Sequence, residues 1–327
     1  MTNPSIALFS LETGAPLLGR ICRQLGVEPA RQETRSFEDG EHKMRPLESV
    51  RGRDVYIVES LFGESGLSVN DKLLRVLLFT ATLRDAGAER VTVVAPYLCY
   101  ARKDRRTKPR DPVTSRYLAT LFEAVGTARV VTIEVHNPAA YQNAFRIPAE
   151  LLTAAPAFVD FFARLLGEQP AAVVSPDPGG VKRAELFREA LEQRLRRGVG
   201  FAFLDKHRSQ GVVRSGAMAG EVGDRAAIIL DDLISSGTTL ARAAAACRQR
   251  GARAVYAAAA HGVFSADAGR VLGASELDRI VVLDTIPARP LGLELERRLE
   301  WLDCSALLAQ SIRRLHEGGS LTELSAS

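Results

Sequence analysis

The stretch Ala226–Ala260, "AAIILDDLISSGTTLARAAAACRQRGARAVYAAAA", decides the fold. It opens on an apolar run, passes two adjacent aspartates and a loop of small hydroxyl residues, and continues as a helical pattern over 238–251. Gly251 suits the left-handed residue that closes such a helix, and a second apolar run, "AVYAAAA" (254–260), follows. Strand, helix and strand in this order spell a βαβ unit with parallel strands.

The same grammar extends in both directions. "DVYIVES" (54–60), "RVTVVAPY" (90–97), "RVVTIEV" (129–135), "AAVVSPD" (171–177), "GFAFLD" (200–205) and "RIVVLDT" (279–285) read as further buried strands, separated by helical patterns such as "NDKLLRVLLFTATLRDAG" (70–87). "LRDAGAERVTVVA" (83–95) and "CRQRGARAVYAAA" (247–259) share a helix end, a Gly-Ala turn and a strand, with Gly87 and Gly251 as matching caps. A duplicated α/β domain is the inference, with mostly parallel sheets and helices on both faces. The boundary falls near Pro148–Pro156, giving a first domain over 1–150, a second over 151–304, and a tail (305–327) that forms an amphipathic helix packing back on one of them. In the first half "IVESLFGESG" (57–66) takes the place of "ILDDLISSGTT" and lacks its paired acids.

A chain of 327 residues is long enough for two such cores, and 46% apolar with 25% charged residues is ordinary for a globular protein. No apolar run reaches bilayer length, and the N-terminus lacks a basic segment followed by a long apolar one, so a cytoplasmic protein with no membrane role is expected. Cys22, Cys99, Cys247 and Cys304 are scattered without metal-ligand spacing and read as packed thiols. The formal charge of +4 is unevenly spread. "ARKDRRTKPRDP" (101–112) concentrates cations, as does "KHR" (206–208). A solvated face, a nucleic-acid patch and a polyphosphate site are the three readings of such a run; the absence of aromatics from 101–112 argues against a stacking platform for bases.

Two carboxylates at the end of a buried strand are costly unless something binds them. Asp231 and Asp232 can accept hydrogen bonds from vicinal sugar hydroxyls. The backbone N–H groups and hydroxyls of Ser235, Ser236, Gly237, Thr238 and Thr239, at a helix N-terminus, can cradle a phosphate. A sugar phosphate satisfies both halves. The alternative makes Ser235 or Ser236 a helix N-cap and the aspartates ordinary strand-end acids; the full combination is harder to reach by chance than either part.

Asp231–Thr239 resembles the phosphoribosyl-diphosphate loop shared by type I phosphoribosyltransferases and the ribose-phosphate diphosphokinases. "SFEDGE" (36–41), "VRGRDVYIVES" (50–60), "APYLCYARKDRR" (95–106), "EVHN" (134–137), "VVSPDPGGVKRA" (173–184), "DKHR" (205–208) and "LDTIP" (283–287) resemble the diphosphokinase's blocks in that family's order. The similarity runs from about residue 6 to the last helix, whereas a transferase would share only the second half.

The resemblance implies two phosphoribosyltransferase-like domains, the first without a sugar-phosphate loop. It also implies Mg²⁺-dependent transfer of the diphosphoryl group of ATP to ribose 5-phosphate, in a homodimer or homohexamer that needs no nucleic acid. By similarity, Phe37 and Arg102 contact the adenine with Asp39 and Glu41 nearby, and Lys103 belongs to the same nucleotide loop. Asp104 is expected to fix that loop by pairing with an arginine. Phe37 as a core aromatic is the alternative, and its polar company favours exposure. His136 and Glu134, with Asp177, correspond to the metal residues; Asp177 also belongs to the ribose site with Asp231, Asp232, Ser235, Ser236, Gly237, Thr238 and Thr239. Lys206 and Arg208 correspond to the cations that stabilise the diphosphoryl group in flight. The chain departs from the family pattern at Glu134 (usually aspartate), Lys103 (commonly glutamine), Asn137 (usually small) and Ser235 (an acid in the phosphate-activated class). Two rivals follow: a non-catalytic regulatory subunit, which would be expected to lack some of these cations or acids, and a diphosphokinase with another donor or sugar.

Overall fold

The computed structural model describes residues 5–11, 14–205, 208–209, 212–213 and 218–324. They divide into two compact units, one formed by the chain up to Thr153 together with the segment from Cys304 onward, the other by Ala154–Asp303.

The first unit runs β1 (Ile6–Phe9), α1 (Ala15–Leu25), a hairpin of β2 (Gln32–Ser36) and β3 (His42–Pro46), then β4 (Asp54–Val58), α2 (Val69–Asp85), β5 (Arg90–Val94), α3 (Thr114–Ala124), β6 (Arg129–Ile133), α4 (Pro138–Ala144) and β7 (Ala149–Leu152). Its sheet has the order β1-β4-β5-β6-β7, every pair parallel. Ala7, Phe9, Val55, Ile57, Val91 and Val93 belong to one core cluster. The alternate residues Leu8, Tyr56, Val58 and Val94 are buried as well. Strands buried on both faces require cover on both sides, which is why they read as continuous apolar runs. A capping box starts α2: the Ser68 hydroxyl accepts from the Asp71 amide at 3.2 Å and the Asp71 carboxylate from the Ser68 amide at 2.8 Å.

The second unit runs α5 (Ala155–Leu166), β8 (Ala171–Ser175), α6 (Val181–Leu195), β9 (Gly200–Leu204), the short strands β10 (Arg208–Ser209), β11 (Val212–Val213) and β12 (Met218–Gly220), then β13 (Ala226–Ile234), α7 (Thr238–Gln249), β14 (Ala254–Gly262), α8 (Ala268–Gly273), β15 (Arg279–Leu283), α9 (Leu293–Glu296) and β16 (Leu299–Leu302). Its sheet order is β12-β9-β8-β13-β14-β15-β16, parallel except for the edge pair β12–β9. Gly87 and Gly251 adopt φ of 88° and 82°, as the helix-cap reading requires. The chain then returns to the first unit as α10 (Ser305–Glu317), packed on α1 through Gln24 to the Ser305 hydroxyl at 2.8 Å and Arg313 to the Gln24 carbonyl at 2.8 Å.

The paired strand runs show three differences from the sequence reading. Most strands stop two or three residues short of the expected end, where the chain turns into loops. β13 instead runs on to Ile234, two residues past the aspartates, because β14 also extends and keeps pairing as far as Ile234 with Gly262. And α7 begins at Thr238, as the pattern over 238–251 predicts, but ends at Gln249, two residues early.

Candidate functional site

In the second unit β8 is followed by a helix and β9 on one side, whereas β13 is followed by a helix and β14 on the other. Connections therefore reverse between β8 and β13, and ligands of open α/β sheets bind outside the carboxyl ends of the strands at such a reversal. Asp177 follows β8 and Asp231–Thr239 closes β13, so these candidates flank that point. Among the described residues the first unit's sheet has no strand beyond β1 and no reversal.

Asp177 caps the turn Pro178–Gly180, its carboxylate accepting from the Gly180 amide at 3.2 Å while its carbonyl accepts from the Ser175 hydroxyl at 2.7 Å. A Cβ on Gly180 would stand 2.9 Å from that hydroxyl, so the close turn needs glycine. On β13 successive side chains face opposite sides of the sheet. Asp232 is buried, and its carboxylate lies 3.5 Å from the Arg183 guanidinium; Asp231 keeps some exposure and accepts from the Asp232 amide at 2.9 Å. Burial first, then the neighbouring Asp232 charge, push the Asp231 carboxyl up to about 7 from 3.8, with Arg183 pulling the other way. This site holds one carboxyl poorly compensated.

The loop after β13 is fixed by its neighbours. The Phe264 and Ser265 amides donate to the Ile234 and Ser235 carbonyls at 2.9 and 3.0 Å. The Ser236 and Thr238 hydroxyls are 3.1 Å apart. Gly237 sits at φ 77° as the residue before α7, and a Cβ there would run into Leu272. A side chain is excluded on one flank while the N-terminal amides of a 12-residue helix point outward, which is the geometry of an oxyanion cradle. Beside it, buried His261 at the end of β14 holds the Thr285 hydroxyl at 2.9 Å.

The first unit carries the other candidates. Phe37, Asp39 and Glu41 form the tip of the β2–β3 hairpin, closed by the Phe37 amide donating to the Glu41 carbonyl at 2.8 Å and the Glu41 amide donating to the Asp39 carboxylate at 3.1 Å. Phe37 is 41% exposed, and the guanidinium of Arg35, a residue the sequence reading passed over, stands 5.0 Å from its ring centroid. Arg102 is exposed in the loop after β5. Lys103 is held by Asp111 at 2.7 Å. Asp104 differs from expectation: it accepts from the side-chain amide of Asn137 at 2.8 Å rather than pairing with an arginine, because Asn137 caps α4 directly opposite it. Glu134 takes a left-handed φ of 41° just past β6, and its carboxylate accepts from the Thr153 hydroxyl at 2.9 Å; His136 is exposed beyond it. Arg208 lies in β10, and Lys206 lies outside the described residues.

Arg183 is the residue of this site that sequence reasoning missed. A signal was present: a cation in the first turn of a helix opposes the helix dipole and calls for an anionic partner. Among the described residues no group of three or more His, Cys, Asp or Glu side chains forms a metal cage. No helix among them is long and apolar enough to cross a membrane.

Two family models match segments of this chain, and full-length relatives match nearly all of it. Residues 6–126 match the N-terminal domain of ribose phosphate pyrophosphokinase and residues 212–325 the phosphoribosyl synthetase-associated domain. A ribose-phosphate pyrophosphokinase 1 from Streptococcus pyogenes serotype M1 is 34% identical over 99% of this chain and 98% of its own length. Its counterpart from Streptococcus pneumoniae serotype 4 is 36% identical with the same coverage. The crystal structure of phosphoribosylpyrophosphate synthetase from Mycobacterium smegmatis superposes with a TM-score of 0.86 at 29% identity, covering 96% of this chain and all of that one.

Proposed function

The chain belongs to the ribose-phosphate pyrophosphokinase family, and on that premise we propose that it transfers the intact diphosphoryl group of ATP to the anomeric hydroxyl of ribose 5-phosphate, with Mg²⁺. The observation that carries this reading is the meeting of paired aspartates and an oxyanion cradle at the strand reversal of the second unit. Asp231 and Asp232 accept from the ribose hydroxyls, and an arriving hydroxyl supplies the underpaired Asp231 with a donor. The amides and hydroxyls of Ser235–Thr239 take the 5-phosphate.

The first unit serves the nucleotide: Phe37 gives the adenine an aromatic face, and Arg102 a planar cation. The anomeric oxygen attacks the β-phosphorus in line, the bond from that phosphorus to the bridging oxygen of AMP breaks, and the hydroxyl proton is lost to solvent. Lys206 and Arg208 balance the charge that spreads over the diphosphoryl oxygens. Hard carboxylate donors such as Asp177 and Glu134 fit Mg²⁺, which takes one or two protein carboxylates and completes its shell from phosphates and water, so no all-protein cage is required. Held by either carboxylate, Asp177 in the second unit or Glu134 in the first, the ion would neutralise phosphate charge. His136 stands with Glu134 at the same strand end.

On the same premise we read the enzyme as cytoplasmic and as a homodimer or homohexamer. Exposed apolar pairs on α2 (Leu74, Leu78) and on α3 (Tyr117, Leu121) support a covered face. The test is release of AMP from ATP and ribose 5-phosphate with Mg²⁺, followed by chromatography. Protein that binds both substrates but releases no AMP with any divalent metal is a regulatory subunit instead.

A further inference from the structure

In the loop 101–112 a single carboxylate oxygen gathers four donors. Asp111 Oδ2 accepts from the Lys103 ammonium at 2.7 Å, the Thr107 hydroxyl at 2.7 Å, the Thr107 amide at 3.1 Å and the Lys108 amide at 3.0 Å. The lysine's hydrogen bond, first in effect, and the Thr107 and Lys108 donors hold this carboxyl well below the ordinary range. Asp111 is tied back too, its amide donating to the Lys108 carbonyl at 3.2 Å and its carbonyl accepting from Arg106 at 3.2 Å. Lys103 is held at its backbone as well: its amide donates to the Tyr100 carbonyl and its carbonyl accepts from the Ser115 amide, each at 3.2 Å. Arg102 lies between these anchors.

We propose that Asp111 is the positioning residue of the nucleotide loop: by closing 103–111 on the Lys103 ammonium it fixes the backbone from which Arg102 meets ATP, and it leaves Lys103 a structural cation rather than a phosphate ligand. The proposal rests on the nucleotide assignment above. Six cations crowd a 12-residue segment, and without an internal anion their repulsion would spread the loop. One carboxylate binding a cation and two amides at once draws both ends of the segment together.

The test is a double-mutant cycle of Asp111→Ala and Lys103→Met, read by ATP affinity in calorimetry without ribose 5-phosphate and by steady-state kinetics. Each single variant is expected to weaken ATP binding roughly three- to tenfold, and the double variant no more than the worse single, since coupled partners are not additive. Asp111→Ala should raise KM for ATP with kcat held, and should speed hydrogen exchange at the Thr107 and Lys108 amides. If Lys103→Met weakens ATP while Asp111→Ala leaves it unchanged or tightens it, Lys103 is a direct phosphate ligand and the proposal is overturned. Faster exchange with unaltered ATP affinity overturns positioning also. Wild-type protein that binds ATP without releasing AMP overturns the reading of function instead, and the calorimetric cycle still decides the role of Asp111.

Discussion

Replacing Asp231 with asparagine should stabilise the protein and disable it at once. The native carboxyl is driven from 3.8 to about 7 by burial and by Asp232. The folded protein thus favours the protonated form, so the stability this group allows is greatest below about pH 4 and declines as pH rises towards 7. The displacement is about 3 pH units (7 less 3.8), worth at most about 4 kcal/mol at about 1.4 kcal/mol per unit. Asp231 retains some solvent contact and Arg183 lies near the pair, so we take roughly half, about 2 kcal/mol. Asparagine keeps the acceptor for the Asp232 amide and carries no charge. In thermal unfolding at pH 8, Asp231→Asn should raise Tm by about 4–8 °C for a unit of this size. The gain should vanish near pH 4, where the wild-type carboxyl is protonated. Ribose 5-phosphate affinity should fall tenfold or more, since a hydrogen bond to a charged acceptor is worth roughly 1.5–3 kcal/mol. No gain at pH 8, or one undiminished at pH 4, would refute the claim that Asp231 is an underpaired carboxyl.

Gly237→Ala should cost roughly 1–3 kcal/mol by denaturant titration, because the new methyl meets Leu272 and the φ of 77° is unfavourable for alanine; ribose 5-phosphate binding should weaken with it. Asp54→Ala should cost roughly 3–5 kcal/mol, because it removes the buried carboxylate that Arg90 grips at 2.7 and 2.8 Å and that His316 meets at 2.8 Å. Although burial pushes the Asp54 carboxyl up, Arg90, His316 and Tyr56 together hold it below its ordinary value, so its stabilisation is present above about pH 4 and lost as acid protonates it; limited proteolysis in acid should release α10 first. Burial raises the Cys99 and Cys247 thiols to about 12, so a thiol reagent at pH 8 should label neither until the protein is unfolded.

What the sequence made legible is what repeats or what is local. Buried parallel strands are apolar throughout, helix ends need glycines such as Gly87 and Gly251, and the Asp231–Thr239 grouping is contiguous, so each could be read in a window of a dozen residues. Contacts between distant segments left weaker marks. The β2–β3 hairpin is half exposed and polar, and no apolar run announced it. The hydrogen bond from Asn137 to Asp104 joins two loops 33 residues apart. Arg183 meets Asp232 across 49 residues, and its only local sign was a cation on the wrong end of a helix. Strand ends were overestimated because apolar character persists into the buried loops beyond them, whereas pairing does not.

The pairing registers show why the first unit does not have the second unit's cradle. Asp54 pairs with Arg90 and Ala226 with Ala254 at matching points of the echoed segments, which makes Glu59 and Ser60 the counterparts of Asp231 and Asp232. Glu59 is 1% exposed, accepts from the Leu11 amide at 3.1 Å and lies 3.6 Å from the ammonium of Lys72. That lysine, fully buried in the first turn of α2, also meets Glu64 at 2.6 Å and stands 3.5 Å over the ring of Phe62. In the second unit the first turn of α7 is Thr238, Thr239, Leu240 and Ala241, with no cation to turn inward. Glu59 is thus balanced by the chain's own lysine in the first unit, whereas in the second Arg183 meets Asp232 and the counterpart of Glu59, Asp231, stays poorly compensated. Burying a carboxylate demands a partner in either case. Where the chain supplies it, the strand end is closed core; where Asp231 lacks it, the same strand end keeps an acceptor that a ligand's hydroxyl donors can fill.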